Sequence, residues 1–195
     1  MLRSGFADPG RQSQAVFRLA MRAMSAPGSI VAVGTPLSPP QPLFAPTAAL
    51  LLTLCDFETP VWCDRPLAEN PGVADFLRFH TGARLVLSPA EAAFAVVADS
   101  RRLPALGDFA QGTCDYPDRS STVLVQVESL EASGWRLEGP GIRQHARLFA
   151  APLPAAFVNE LGANRSRFPC GVDILLATQG AIAALPRSVR IGEAV

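Results

Sequence analysis

Lysine is missing from this 195-residue chain, so all 17 of its basic residues are arginine. A guanidinium stays charged and forms no imine, whereas a desolvated lysine amine can do both kinds of amine chemistry. An internal aldimine to pyridoxal phosphate is therefore chemically excluded. A Walker-type phosphate loop is excluded too, because its lysine has no candidate. Charge is scarce as well: charged residues make up 17% of the chain, against about 25% in typical soluble domains. The 17 acidic residues balance the basic ones. That balance argues against a basic nucleic-acid clamp, an acidic tail and a polybasic membrane anchor. With 49% hydrophobic residues and no net charge, the chain favours association over solitary solubility and reads as a subunit.

Long apolar runs are also lacking. Met1 to Pro9 contains Arg3 and Asp8 rather than the apolar core of a signal peptide. The longest run, Ala48 to Cys55, is interrupted by Thr53 and falls well short of the ~20 residues of a membrane span. No membrane partner is expected. The four cysteines, Cys55, Cys63, Cys114 and Cys170, have no CxxC spacing, which fits reduced thiols in a cytoplasmic protein. The two histidines, His80 and His145, are far apart, and no HExxH or GxSxG motif occurs. Neither a metal site nor a catalytic residue is expected, and no cofactor. Cys170 sits in the turn Phe168-Pro169-Cys170-Gly171 without an activating neighbour in sequence and reads as inert.

What is present predicts an α/β fold, a mixed sheet flanked by helices, in a single domain over residues 1–195. Asp8 and Pro9 can start a helix whose apolar positions are Phe17, Ala20, Met21 and Met24, with Arg11, Arg18 and Arg22 on another face. Pro27-Gly28 ends it, and Ile30 to Val33 reads as a strand. Five prolines between Pro36 and Pro46 bar that stretch from a central sheet and predict an extended arm or lid. Thr47 to Asp56 reads as a helix, Thr59 to Trp62 as a strand, and Asn70-Pro71-Gly72 opens a helix that Gly82 stops. Leu85 to Leu87 is a strand, Ser88 to Glu91 has capping-box spacing, and Phe94 to Ala98 suits a buried strand. Thr122 to Leu130 alternates and predicts a hairpin with Trp135 to Leu137 through Ala132-Ser133-Gly134. Gly139-Pro140-Gly141 is a tight turn, Pro154 starts a helix that Gly162 ends, and Val172 to Ala177 pairs with Ala181 to Leu185 through Gln179-Gly180.

Arginine is the only cation available for an anionic ligand. Arg187, after Leu185-Pro186 at the end of the last predicted strand, could hold an anion through two parallel hydrogen bonds. Equally, Asp173 opens the neighbouring strand of that hairpin, and an internal Asp173–Arg187 pair would simply fix the strand end. His80, near its helix C-terminus, suits a structural imidazolium as well as a ligand contact. Arg187, Asp173, His80 and Arg78 are the candidate substrate-binding residues, on the ground that polar groups in apolar blocks need partners.

Six blocks stand in order along the chain: Ala23-Met24-Ser25-Ala26-Pro27-Gly28, Leu51 to Leu54 with Thr59 to Trp62, Leu77-Arg78-Phe79-His80-Thr81, Gly139-Pro140-Gly141-Ile142, Phe168 to Asp173, and Ala184-Leu185-Pro186-Arg187. Together they resemble the PhnH family, the H subunit of the bacterial carbon–phosphorus lyase system for phosphonate breakdown, over roughly Phe6 to Arg190. The resemblance implies a fold similar to the large domain of PLP-dependent transferases without the cofactor, in agreement with the missing lysine. It also implies a homodimer that joins the G, I and J subunits. That assembly converts ATP and an alkylphosphonate to ribose 1-alkylphosphonate 5-triphosphate and adenine. On this view the chain is a non-catalytic component. The alternative is a small transferase or hydrolase with a phosphonate or nucleotide ligand in a dimer-interface pocket. Gly10 and the proline-rich arm depart from the family's pattern, outside the six blocks.

Overall fold

The first four helices each begin at a proline in their first turn, and the first and fourth add a capping side chain. In the computed structural model, which describes residues 3–192, helix α1 spans Pro9–Ser25, and Asp8 accepts a hydrogen bond from the Arg11 amide at 3.1 Å. Strand β1 (Val31–Ala32) follows, then helix α2 (Ala45–Leu54) and strand β2 (Pro60–Cys63). A short helix α3 (Arg65–Ala68) leads to α4 (Pro71–Thr81). Asn70 caps α4 by accepting from Gly72, and Gly82 closes it in the left-handed conformation with φ +71°. Strands β3 (Arg84–Val86), β4 (Phe94–Val97), β5 (Thr122–Gln126), β6 (Ser129–Glu138) and β7 (Ala146–Ala151) precede helix α5 (Phe157–Ser166). Strands β8 (Asp173–Ala177), β9 (Ala181–Leu185) and β10 (Arg190–Gly192) complete the described chain.

Seven strands form a mixed sheet in the order β1-β9-β8-β5-β4-β2-β3. The run from β8 to β3 is parallel, while β9 is antiparallel to both of its neighbours. A second, antiparallel sheet has the order β10-β6-β7. The layers follow from side-chain alternation. Leu124, Val96 and Leu175 face a core with α1, α2 and α4, through Ala20, Leu50, Leu51, Phe76 and Leu77. Val123, Val125, Ile174 and Leu176 face a second core with α5 and the small sheet, through Phe157, Leu161, Leu137 and Leu148. The expected α/β architecture, a mixed sheet flanked by helices, is what the chain adopts. Among the described residues no helix is long and apolar enough to cross a membrane. The single-domain reading from 1 to 195 includes termini outside the described residues.

Several local expectations are corrected. Residues 129–138 form one strand rather than the two arms of a hairpin, with a register shift between Glu131 and Trp135. Its partners are β7 and β10, and β5 instead runs parallel to β4 and β8. The polar position that mimicked a solvent face in β5 is Gln126, which is buried. Its side chain accepts from the Phe44 amide at 2.7 Å and donates to the Pro42 carbonyl at 2.8 Å. These bonds also decide the nature of the proline-rich stretch. It is an extended strap, with Leu37 and Leu43 buried beneath it, and it is tied down rather than free to act as a lid. Pro46 lies within the first turn of α2, where a missing amide proton costs nothing.

Helix α1 buries Val16, Ala20 and Ala23, leaving Phe17 48% and Met21 51% exposed. The buried stripe is thus rotated from the one read by hydropathy, because small side chains let α1 approach α2 closely. Helix α5 begins at Phe157 and passes through Gly162 to Ser166. Asn164, one turn from its end, supplies the reason by pairing with Val172 through both side-chain atoms. Ser88 makes no capping bond to the turn Pro89–Glu91. Strands β7 and β10 and helix α3 were not anticipated by the sequence pattern.

Gln126→Ala should release the strap. Two part-buried backbone groups would lose their partners, at up to about 1–3 kcal/mol each before relaxation. Limited proteolysis should then cut between 34 and 44 several-fold faster than in the unmodified chain.

Candidate functional site

Asp173 and Arg187 meet at the amino-terminal end of the parallel strands. Arg187 Nη2 donates to Asp173 Oδ2 at 2.6 Å, and Nε lies 3.2 Å from both carboxylate oxygens. The Arg187 amide donates to Oδ1 at 2.8 Å. The remaining guanidinium nitrogen, Nη1, donates to the Pro117 carbonyl at 2.7 Å and reaches that of Pro169 at 3.4 Å. The two side chains are 15% and 17% exposed. The anticipated pair is formed, and the guanidinium is committed to three segments of this chain: the start of β8, the loop before β5 and the Phe168–Gly171 turn.

His80 and Arg78 lie elsewhere, on α4, which packs on α2, α3 and β3. Between β3 and β8 stand β2, β4 and β5, so the four residues do not converge on one site. The His80 ring places Nε2 2.9 Å from the Arg3 carbonyl and stands edge-on to Phe76 and Phe79. A Cβ at Gly5 would meet this ring at 2.7 Å. His80 therefore docks the amino-terminal segment onto α4. Arg78 is exposed beside a small cavity of ≈ 190 Å³ whose wall includes Leu67, Val73 and Leu85.

Three of the six sequence blocks explain one another in space. Gly28, with φ +82°, donates to the Ala184 carbonyl at 3.2 Å, and a Cβ there would press on Leu137 at 2.8 Å. Gly141, with φ +81°, approaches α1's last turn so closely that a Cβ would run into the Ser25 carbonyl oxygen and lie 3.0 Å from Pro27. The blocks around 23–28, 139–142 and 184–187 are thus a packing knot.

The cysteines divide by environment. Burial, with Asp56 nearby, pushes the Cys55 thiol up to about 12. Burial and the neighbouring Asp64 do the same for Cys63, also to about 12. Cys170 is raised too, by desolvation first and then by its hydrogen bond with the Cys114 thiol, with Arg187 opposing. Since the thiolate is the nucleophile, Cys55 and Cys63 should resist iodoacetamide from pH 7 to 9 in the native protein and react in urea. Exposed Cys114 should label first, read by mass spectrometry of the digested chain.

A different constellation occupies the carboxyl ends of β2 and β4. There Trp62, Asp64, Arg65, Pro66, Glu69, Asp99 and Arg102 surround a cavity of ≈ 450 Å³. Asp64 is only 7% exposed. Its Oδ2 accepts from the amides of Ala98 at 2.7 Å and Asp99 at 2.9 Å, which joins the ends of the two strands. Its Oδ1 is buried without a partner among the described residues. Desolvation raises the Asp64 pKa, and the amide bonds only partly offset it. Arg65 pairs with Glu69 at 2.7 Å, and Arg102 lies 3.6 Å from Asp99. The sequence carried the signal for this place, an aspartate within two residues of the end of each of two predicted strands, but without strand order the two could not be joined. Among the described residues no group of three or more His, Cys, Asp or Glu side chains could hold a metal ion.

Comparisons with known proteins give one consistent picture. The family described as "Bacterial phosphonate metabolism protein (PhnH)" matches residues 4–192. The chain is 38% identical over 187 residues to the alpha-D-ribose 1-methylphosphonate 5-triphosphate synthase subunit PhnH of Rhizobium meliloti (strain 1021), covering 95% of this chain and 93% of that one. It is 30% identical over 185 residues to the putative C-P lyase subunit protein HtxG of Stutzerimonas stutzeri, covering 92% of this chain and 86% of that one.

Proposed function

The chain belongs to the PhnH family, and on that premise we propose that it serves as a subunit of a carbon–phosphorus lyase assembly in bacterial phosphonate metabolism. The observation that carries this reading is 38% identity along nearly the whole chain to a subunit named for ribose 1-methylphosphonate 5-triphosphate synthesis. In this role it acts as one domain, pairs with a second copy, joins the G, I and J subunits in the cytoplasm, and contributes no bond-making step of its own. The composition supports the docking role, because a sparsely charged exterior with exposed Phe17, Met21, Phe57, Phe79 and Leu87 is suited to burial by partners. The commitment of Arg187 to Asp173 and of His80 to the amino-terminal segment supports a structural role for both. Likeness to the large domain of PLP-dependent transferases is part of the same reading. The mixed seven-stranded sheet with reversed β9 is the unit to be compared, and the lack of lysine removes the imine-forming group.

A second reading, a small transferase or hydrolase with a ligand pocket, draws support from the partnerless buried oxygen of Asp64 beside a cavity. Co-expression with the G, I and J subunits distinguishes the two. The first expects a stable complex that releases adenine from ATP plus methylphosphonate, with loss of assembly or turnover when this chain is omitted. Adenine release by the purified chain alone, or full assembly and turnover without it, would overturn that reading.

A further inference from the structure

The loop before β5 and the turn before β8 each carry a cysteine, and the fold clamps these two segments together. Residues 113–116 form a closed turn. The Thr113 amide donates to the Tyr116 carbonyl at 3.1 Å, and the Tyr116 amide donates to that of Thr113 at 3.2 Å. Cys114 stands within this turn and is exposed, while Cys170 in the facing turn is half-buried. One clamp is the Gly171 amide, which donates to the Gln111 carbonyl at 2.9 Å. The other is Arg187 Nη1, which reaches the carbonyls of Pro117 at 2.7 Å and Pro169 at 3.4 Å. Cys114 thus lies between the two anchored residues of its loop, and Cys170 between those of its turn. A further bond, from Arg167 Nη1 to Gln111 Oε1 at 2.9 Å, stiffens the same junction.

The sequence offered Cys170 no activating neighbour, but the fold supplies a second thiol. The two side chains are in hydrogen-bond contact, and the Arg187 charge favours the Cys170 thiolate against its desolvation. Cys55 and Cys63, buried or half-buried with thiols pushed up to about 12, have no such access to a reactant. We propose that Cys114 and Cys170 form a reversible redox latch, a dithiol site that reacts with a small-molecule disulfide and closes to an intramolecular disulfide. Exposed Cys114 gives up its proton and attacks one sulfur of the oxidant, forming a mixed disulfide and expelling one small thiolate. Cys170, deprotonated in turn, attacks the Cys114 sulfur and expels the second. The two protein thiols lose two electrons, the oxidant gains them, and the two released protons convert the expelled thiolates to thiols. Excess small thiol runs the same exchange backwards. Closure adds a covalent tie where hydrogen bonds alone now join the two segments.

Oxidised glutathione, applied to the full chain without other subunits, tests this directly. At about 0.1 mM reduced glutathione, a pair with a mutual effective concentration of at least about 1 mM should favour the closed form over the mixed disulfide about tenfold. After alkylation and trypsin cleavage, peptides 103–119 and 168–187, each with one cysteine, should appear joined and lighter by two hydrogens than their sum. Cys170→Ser should instead stop at a glutathione adduct on Cys114. The closed chain should run as a single chain on a non-reducing denaturing gel and melt about 4 °C or more above the reduced one. Separate adducts on the two cysteines, reaction at neither, a link between chains or to Cys55 or Cys63, or equal melting of closed and reduced protein overturns the proposal. Assembly with other subunits is read by co-purification, so failure here and failure of the subunit reading are separate results.

Discussion

Arg187→Ala should lower the free energy of unfolding by up to about 3–5 kcal/mol, the cost of stranding one member of a fully buried ion pair. The loss is reduced here because the two side chains are 15% and 17% exposed. The substitution leaves the Asp173 carboxylate with the residue-187 amide and frees the carbonyls of Pro117 and Pro169. Urea denaturation followed by circular dichroism measures this as a fall in midpoint at constant slope. Arg187→Lys should recover only part of the loss, because one ammonium cannot reproduce a fork that reaches Asp173, Pro117 and Pro169 together. Asp173→Asn combined with Arg187→Ala should cost less than the sum of the two single changes. Additive losses would mean that the two side chains stabilise the fold separately.

Gly141→Ala is the second large effect. The site demands φ +81° and has no room, since the added methyl would meet the Ser25 carbonyl and Pro27. Left-handed strain contributes about 1–2 kcal/mol, and overpacking against a backbone adds about 1–3 kcal/mol. Destabilisation of at least about 2 kcal/mol is expected, with loss of α1 packing visible in amide exchange across residues 20–28. Gly162→Ala is the contrasting control. That glycine lies in mid-helix, and a methyl group there would meet nothing within 4 Å, so alanine should stabilise α5 by up to about 1 kcal/mol.

What could be read from sequence follows the range of the physics involved. The caps at Asp8 and Asn70, the stop at Gly82 and the β8–β9 hairpin depend on neighbours a few residues apart, and all are present. The Asp173–Arg187 pair was legible for the same reason, since a tight hairpin brings its ends together. Gln126 misled because a polar side chain in alternation looks the same whether it faces water or clamps a distant strap. The pairing of β6 with β10 depends on a partner some fifty residues further along the chain, and β10 is three residues long, too short to carry a pattern. Asp64 was out of reach because its meaning depends on β2 and β4 being neighbours, which no local pattern states.

The contact between Gly141 and Ser25 joins parts that sit on opposite faces of the large sheet, α1 with one core and the small sheet with the other. Such a clasp around the sheet margin transmits displacement. A load placed on the outer surface of α1 would be felt at the β6–β7 turn without passing through the β-strands between them, so the two faces would yield together under strain.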